Sequence, residues 1–237
     1  MSTSPAPGAE RTRYYLMQTF YLRHGTQLGR LHEFLGSLIP SLNDSHPGPK
    51  IALEALVAVH TPQAVLLTGH PNVERALSLR EAMAGAKGFA AWESGPEPPY
   101  EHYTAALLQA MEYSPEVAAR ADPPKKPRLF EIRQYHSPTW RQLGLLHERF
   151  SGPEIRIFHR VGVHPILYSQ TVLGPNMPNL TYVIPFDDLA AREKAWDAFG
   201  ADPEWLKVRR ESIERGGQIA SVNSISLYRA APYSPVR

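Results

Sequence analysis

The sequence predicts an α+β chain of two tandem ferredoxin-like (βαββαβ) units packed sheet to sheet. Three observations predict it. The stretch QLGRLHEFL (Gln27 to Leu35) returns 115 residues later as QLGLLHERF (Gln142 to Phe150), with six of nine positions identical. Extended without a gap, the match lays YLMQTFY (Tyr15 to Tyr21) on FEIRQYH (Phe130 to His136). Further on, with one residue of slippage, Asn72 meets Asp188 and Met83 meets Phe199. A repeat at half of a 237-residue chain favours two units over one large domain.

Each element follows in order. The first strand of each half leads into the repeated box, which is a helix. At about 100° per residue, Leu28, Leu31 and Leu35 form one stripe, as do Leu143, Leu146 and Phe150. Two apolar runs come next in each half, IALEALVAVH with AVLLTG and PILYSQTVL with LTYVIPF, joined by proline-containing turns. Asn72 and Asp188 then serve as N-caps of a second helix. The last strands lie near TAALLQAMEY and ASVNSISLYR. The order is βαββαβ twice. The expected boundaries are a disordered tail over residues 1–12, unit one over 13–113, a Pro-rich linker over 114–127 and unit two over 128–232. PPKKPR within that linker reads as a solvated spacer.

His32 and His147 sit about 40° from the first leucine of each stripe, in or beside the helix–sheet seam. That position suits a hydrogen-bonded structural histidine. The His-Glu pair lacks the second histidine four residues on that a zincin helix needs, since Gly36 and Ser151 stand there, so no metal site is expected. Net charge is only +2 with Lys and Arg scattered, which argues against a nucleic-acid partner. No cysteine is present, which removes disulfides, cysteine-ligated metals and thiol nucleophiles. No apolar run reaches the roughly 18 residues of a membrane span, and cytoplasmic residence is expected.

Chemistry is sought on the strand RLFEIRQYH. Because the strand period is two, Glu131, Arg133 and Tyr135 share one face opposite Phe130 and Ile132. A sheet with helices on one side must cover its other face, and two such sheets can cover each other. If the apolar face packs on the helices, the polar trio points between the sheets, with Leu16, Gln18 and Phe20 at the equivalent positions of the first half. Arg133 would clamp an acidic oxygen, Tyr135 would donate a hydrogen bond, and Glu131 would orient Arg133 or move a proton. Gln18, Phe20, Tyr168 and Tyr182 are expected as further ligand-binding lining. In the structural reading the same trio joins the two sheets.

The stretch FEIRQY, followed by HPILYSQTVLGPNMPNLTYVIPFDDLAAREKAWDAFGADPEW, resembles the NIPSNAP family. The shared pattern is an E-x-R-x-Y first strand, a Gly-Pro-Asn turn, an Asp-Asp/Glu-Leu-Ala-Ala-Arg helix start and an Asp-Pro-x-Trp step. It falls on Glu131, Arg133, Tyr135, Gly174, Pro175, Asn179, Trp196, Asp202, Pro203 and Trp205. The resemblance covers most of residues 128–230 and implies an intrachain dimeric α/β barrel. The first half departs from the pattern, so any site is single and asymmetric. The wider superfamily includes cofactor-free monooxygenases, isomerases and haem enzymes, and fold alone does not choose among them. The leading expectation is a small-molecule enzyme or binder that uses the space between the sheets, without metal or organic cofactor, on a ligand with an acidic oxygen. The alternative is a non-catalytic interaction protein. Its partners would then be proteins rather than a small molecule, and a homo-oligomer fits either reading. His159 and His164 are the histidines to test as haem ligands.

Overall fold

The computed structural model describes residues 11–122 and 126–237. The first half runs β1 (Tyr14–Tyr21), α1 (Gln27–Ser41), β2 (Lys50–Val57), β3 (Gln63–His70), α2 (Val73–Ala84), α3 (Phe89–Glu93) and β4 (His102–Ala110). The second runs β5 (Leu129–His136), α4 (Trp140–Arg149), a π-helical turn (Phe150–Glu154), α5 (Ile155–Val161), β6 (Leu167–Leu173), β7 (Asn179–Phe186), α6 (Leu189–Ala201), α7 (Pro203–Gly216) and β8 (Val222–Ala230). Asn72 and Asp188 cap α2 and α6 by accepting from Arg75 N and Ala191 N, and Asp202 caps α7 with Pro203 at its first position.

All eight strands form one closed antiparallel barrel in the order β1-β3-β2-β8-β5-β7-β6-β4. Each half supplies four strands, and the halves join where β2 meets β8 and where β4 meets β6. Closure leaves no free sheet edge. The inside of the barrel is filled by Tyr15, Ile51, Leu53, Leu108, Phe130, Ile132 and their neighbours, with Val117 and Val236 packed into the same cluster. Helices cover the outside of each half in two separate apolar layers.

Two expectations change here. The interior between the sheets holds Phe130 and Ile132, and the face carrying Glu131, Arg133 and Tyr135 looks out at the helices. Alternation grouped these residues correctly but assigned the two groups to the wrong sides. The segment expected as a spacer also does more than connect. Val117 is buried in the barrel core, and Glu116 pairs with Arg11. Most of the expected disordered tail (residues 1–10), and residues 123–125 of PPKKPR, lie outside the described residues. No helix among the described residues is long and apolar enough to cross a membrane.

Candidate functional site

The repeated box positions both seams. In α1 the side chain of Gln27, fully buried, donates to Pro98 O and Glu101 Oε1. Arg30 donates to Trp92 O at 2.5 Å and to Glu97 O at 2.7 Å. These bonds fix residues 92–101 as a wall beside the outer face of β1. In α4 the equivalent Gln142 donates to Gly216 O at the end of α7. The box glutamine therefore holds the segment that precedes the last strand in each half.

The second-half seam is closed. Glu131 has no exposed surface and accepts from Arg133 Nε on one oxygen and from Arg192 Nε and Trp196 Nε1 on the other. Arg133 also donates to the Tyr135 hydroxyl at 3.0 Å and lies 3.5 Å from the centre of the Trp196 ring. The structure thus brings Glu131, Arg133 and Tyr135 together, as the strand pattern requires, but uses them to fasten β5 to α6. Tyr168 and Tyr182 face the same helix layer, their rings 6.0 Å apart. Burial raises both phenols, so both stay neutral. Beside them burial raises Glu154, carried on the π-helical turn and paired with Arg149 at 2.7 Å.

The first-half seam is open. By the same alignment Leu16, Gln18 and Phe20 replace Glu131, Arg133 and Tyr135, while Ala76 and Arg80 replace Arg192 and Trp196. Register places Leu66 opposite Gln18 and Ala52 opposite Leu66, where the second half has Tyr182 opposite Arg133 and Tyr168 opposite Tyr182. The ion cluster and three aromatic rings at these positions are thus missing from the first half. A cleft of about 140 Å³ lies in this seam, lined by Gln18, Phe20, Met83, Trp92, Tyr100 and Tyr103, with Arg80 and Glu93 among its lining charges. Phe20, Tyr100 and Tyr103 form a triangle of rings 5.4 to 5.9 Å apart, and Trp92 stands 5.6 Å from Tyr100. Gln18 is 5% exposed and Trp92 7% exposed, yet Gln18 Oε1 and Trp92 Nε1 have no hydrogen-bond partner among the described residues. Burial raises the Tyr100 phenol, with Tyr103 and Glu93 adding to the rise and Arg80 opposing it.

Gln18 and Phe20 are therefore in the candidate site, whereas Tyr168 and Tyr182 belong to the closed seam. Trp92, Tyr100 and Tyr103 were missed by the sequence reading. Their signal was available in KGFAAWESGPEPPYEHY, where aromatic residues recur three apart as Phe89, Trp92 and Tyr100, Tyr103. His159 and His164 stack on each other with ring centres 5.2 Å apart, and both are exposed. Among the described residues no group of three or more His, Asp or Glu side chains is placed to hold a metal.

A closed eight-stranded barrel assembled from two βαββαβ halves of one chain, with helices outside, defines a dimeric α/β barrel protein. Residues 130–235, in the second half of the chain, match the NIPSNAP family. Among solved structures, the chain is similar to a putative monooxygenase from Fusobacterium nucleatum (9% identity, 94% of each chain covered, TM-score 0.62). It is also similar to one from Lactobacillus acidophilus (6% identity, 93% of this chain and 94% of that one, TM-score 0.58). A mutant chlorite dismutase from Candidatus Nitrospira defluvii matches as well (11% identity, 95% of this chain and 93% of that one, TM-score 0.54). At these identities the likeness speaks for the fold. No curated protein matches the chain.

Proposed function

We propose that this protein is a small-molecule binder or enzyme whose site is the open helix–sheet seam of its first half. The observation that carries the reading is the asymmetry between the seams. The same barrel positions that fill the second half with ions and aromatic rings leave a cleft in the first. Buried unpaired polar atoms occur in both seams, at Tyr168 and Tyr182 in the second and at Gln18 and Trp92 in the first, and those of the first belong to residues that line the cleft. Unpaired buried polar groups are costly, and a ligand that pairs them removes the cost. Apolar walls with a few convergent polar groups are the usual composition of ligand sites. Arg80 is the cation that would meet an acidic ligand oxygen, in place of Arg133, whose fork is already occupied by Glu131 and Tyr135.

Plugging the cleft tests this. Ala84 ends α2 at the cleft wall and is exposed, so Ala84→Trp adds a ring without crowding the core. Thermal-shift and calorimetric titration with small aromatic compounds should show binding to the unmodified protein and none to the plugged variant at unchanged melting temperature. Equal binding to both would reject the cleft.

One observation favours the non-catalytic reading. The barrel interior is packed, and a surface groove carries exposed Leu56 and Leu189. If that groove is an interface, Leu189→Asp should abolish self-association measured by sedimentation.

A further inference from the structure

Resting on the cleft proposed above, the chemistry of its lining narrows the class of ligand. Volume sets the first limit. A cavity of about 150 Å³ accommodates one benzene-sized ring, so the 140 Å³ here has room for a single ring and small substituents. Shape sets the second, because walls built from Phe20, Trp92, Tyr100 and Tyr103 favour a flat π-system in stacked or edge contact over a branched aliphatic body.

Polarity sets the third limit. Gln18 Oε1 is an acceptor and needs a donor, whereas Trp92 Nε1 is only a donor and needs an acceptor. Both groups are more than nine-tenths buried. A bare hydrocarbon ring would leave both unpaired, and a ligand with acceptors alone would satisfy Trp92 only. Arg80 and Glu93 bring one charge of each sign to the lining, so no net charge is demanded of the part that enters.

We infer that the ligand enters as a single planar ring bearing a hydroxyl or N–H donor for Gln18 Oε1 and a carbonyl or similar oxygen acceptor for Trp92 Nε1. A hydroxyaryl carbonyl compound is the simplest member of this class.

The test uses 3- and 4-hydroxybenzaldehyde, with toluene as the ring without polar groups, titrated calorimetrically into the full chain. At least one hydroxybenzaldehyde should bind about tenfold or more tightly than toluene, since it forms two hydrogen bonds that toluene cannot. Gln18→Leu keeps the bulk, Trp92→Phe keeps an aromatic but smaller wall, and each removes one polar partner. Each should remove about half of the preferred hydroxybenzaldehyde's advantage over toluene on a logarithmic scale, with toluene measured on the same variant as the reference. Circular dichroism confirms that each variant is folded, and Gln18→Met replaces Gln18→Leu if that variant is not. Toluene and hydroxybenzaldehydes binding equally would overturn the ligand class and leave the cleft standing. Failure of every probe, toluene included, would overturn the cleft itself.

Discussion

The Tyr113 hydroxyl, just past the last strand of the first half, lies 2.7 Å from Nδ1 of His147 on the first helix of the second half. Its mirror exists at the same distance, with Tyr233 of the second half on His32 of the first. Each tyrosine begins a Tyr-Ser-Pro turn, and the serines repeat the exchange. Ser114 Oγ accepts from Tyr168 N of the second half, and Ser234 Oγ accepts from Ala52 N of the first. The repeated box histidines are therefore the receiving ends of two reciprocal clasps.

Tyr113→Phe and Tyr233→Phe should each lower stability by about 1 kcal/mol, the usual worth of one hydrogen bond. Because the clasps share no partner, the double variant should lose close to the sum. Denaturant unfolding measures it. Ligand binding in the first-half cleft should be unaffected by either change.

Low pH acts through the same histidine. Burial lowers His147 to about 4, and burial, His46 and Lys50 lower His70 to about 4. The fold favours the neutral ring at both sites, so their contribution is intact above the unfolded pKa of about 6.5. It declines as pH falls from there towards 4 and is flat below. Melting temperature recorded against pH should fall across that window, and His147→Gln should flatten part of the fall. A profile level between 6.5 and 4 would refute these protonation states.

The Glu131 cluster predicts an order of costs. Glu131→Gln leaves Arg133 and Arg192 facing each other without a counter-ion, and should cost about 3–5 kcal/mol. Arg133→Met should cost less, because Glu131 keeps Arg192 and the Trp196 indole as partners. Urea unfolding of the two variants ranks them. A larger loss for Arg133→Met would mean that this account of the cluster is wrong.

Much of the fold was legible because it is written locally and twice. Repetition of Gln27, His32 and their neighbours gave the two halves, and Asn72, Asp188 and Asp202 marked where helices begin. The facing of β5 was not legible. Its strand is covered on both sides, by barrel core and by helices, so Phe130 and Ile132 could be assigned inward only once Arg192 and Trp196 of α6 were seen to receive Glu131. The clasps escaped because Tyr113 and Tyr233 act across the halves. Gln18 and Phe20 were grouped by strand alternation, but as lining of the space between the sheets, and like Glu131 and Arg133 they face the helices instead. Trp92 and Tyr100 come from the stretch before β4 and Tyr103 from the start of β4, where the sequence does not repeat that of α7 and β8.

Diffraction from a crystal soaked in 4-hydroxybenzaldehyde tests the central claim most directly, because it asks where a ring settles in the folded chain. The account predicts one ring between Phe20, Trp92, Tyr100 and Tyr103, with oxygen atoms within hydrogen-bond reach of Gln18 and Trp92 Nε1. A ring lodged inside the barrel, or seated on the Arg133 guanidinium with the first-half cleft empty, would contradict it.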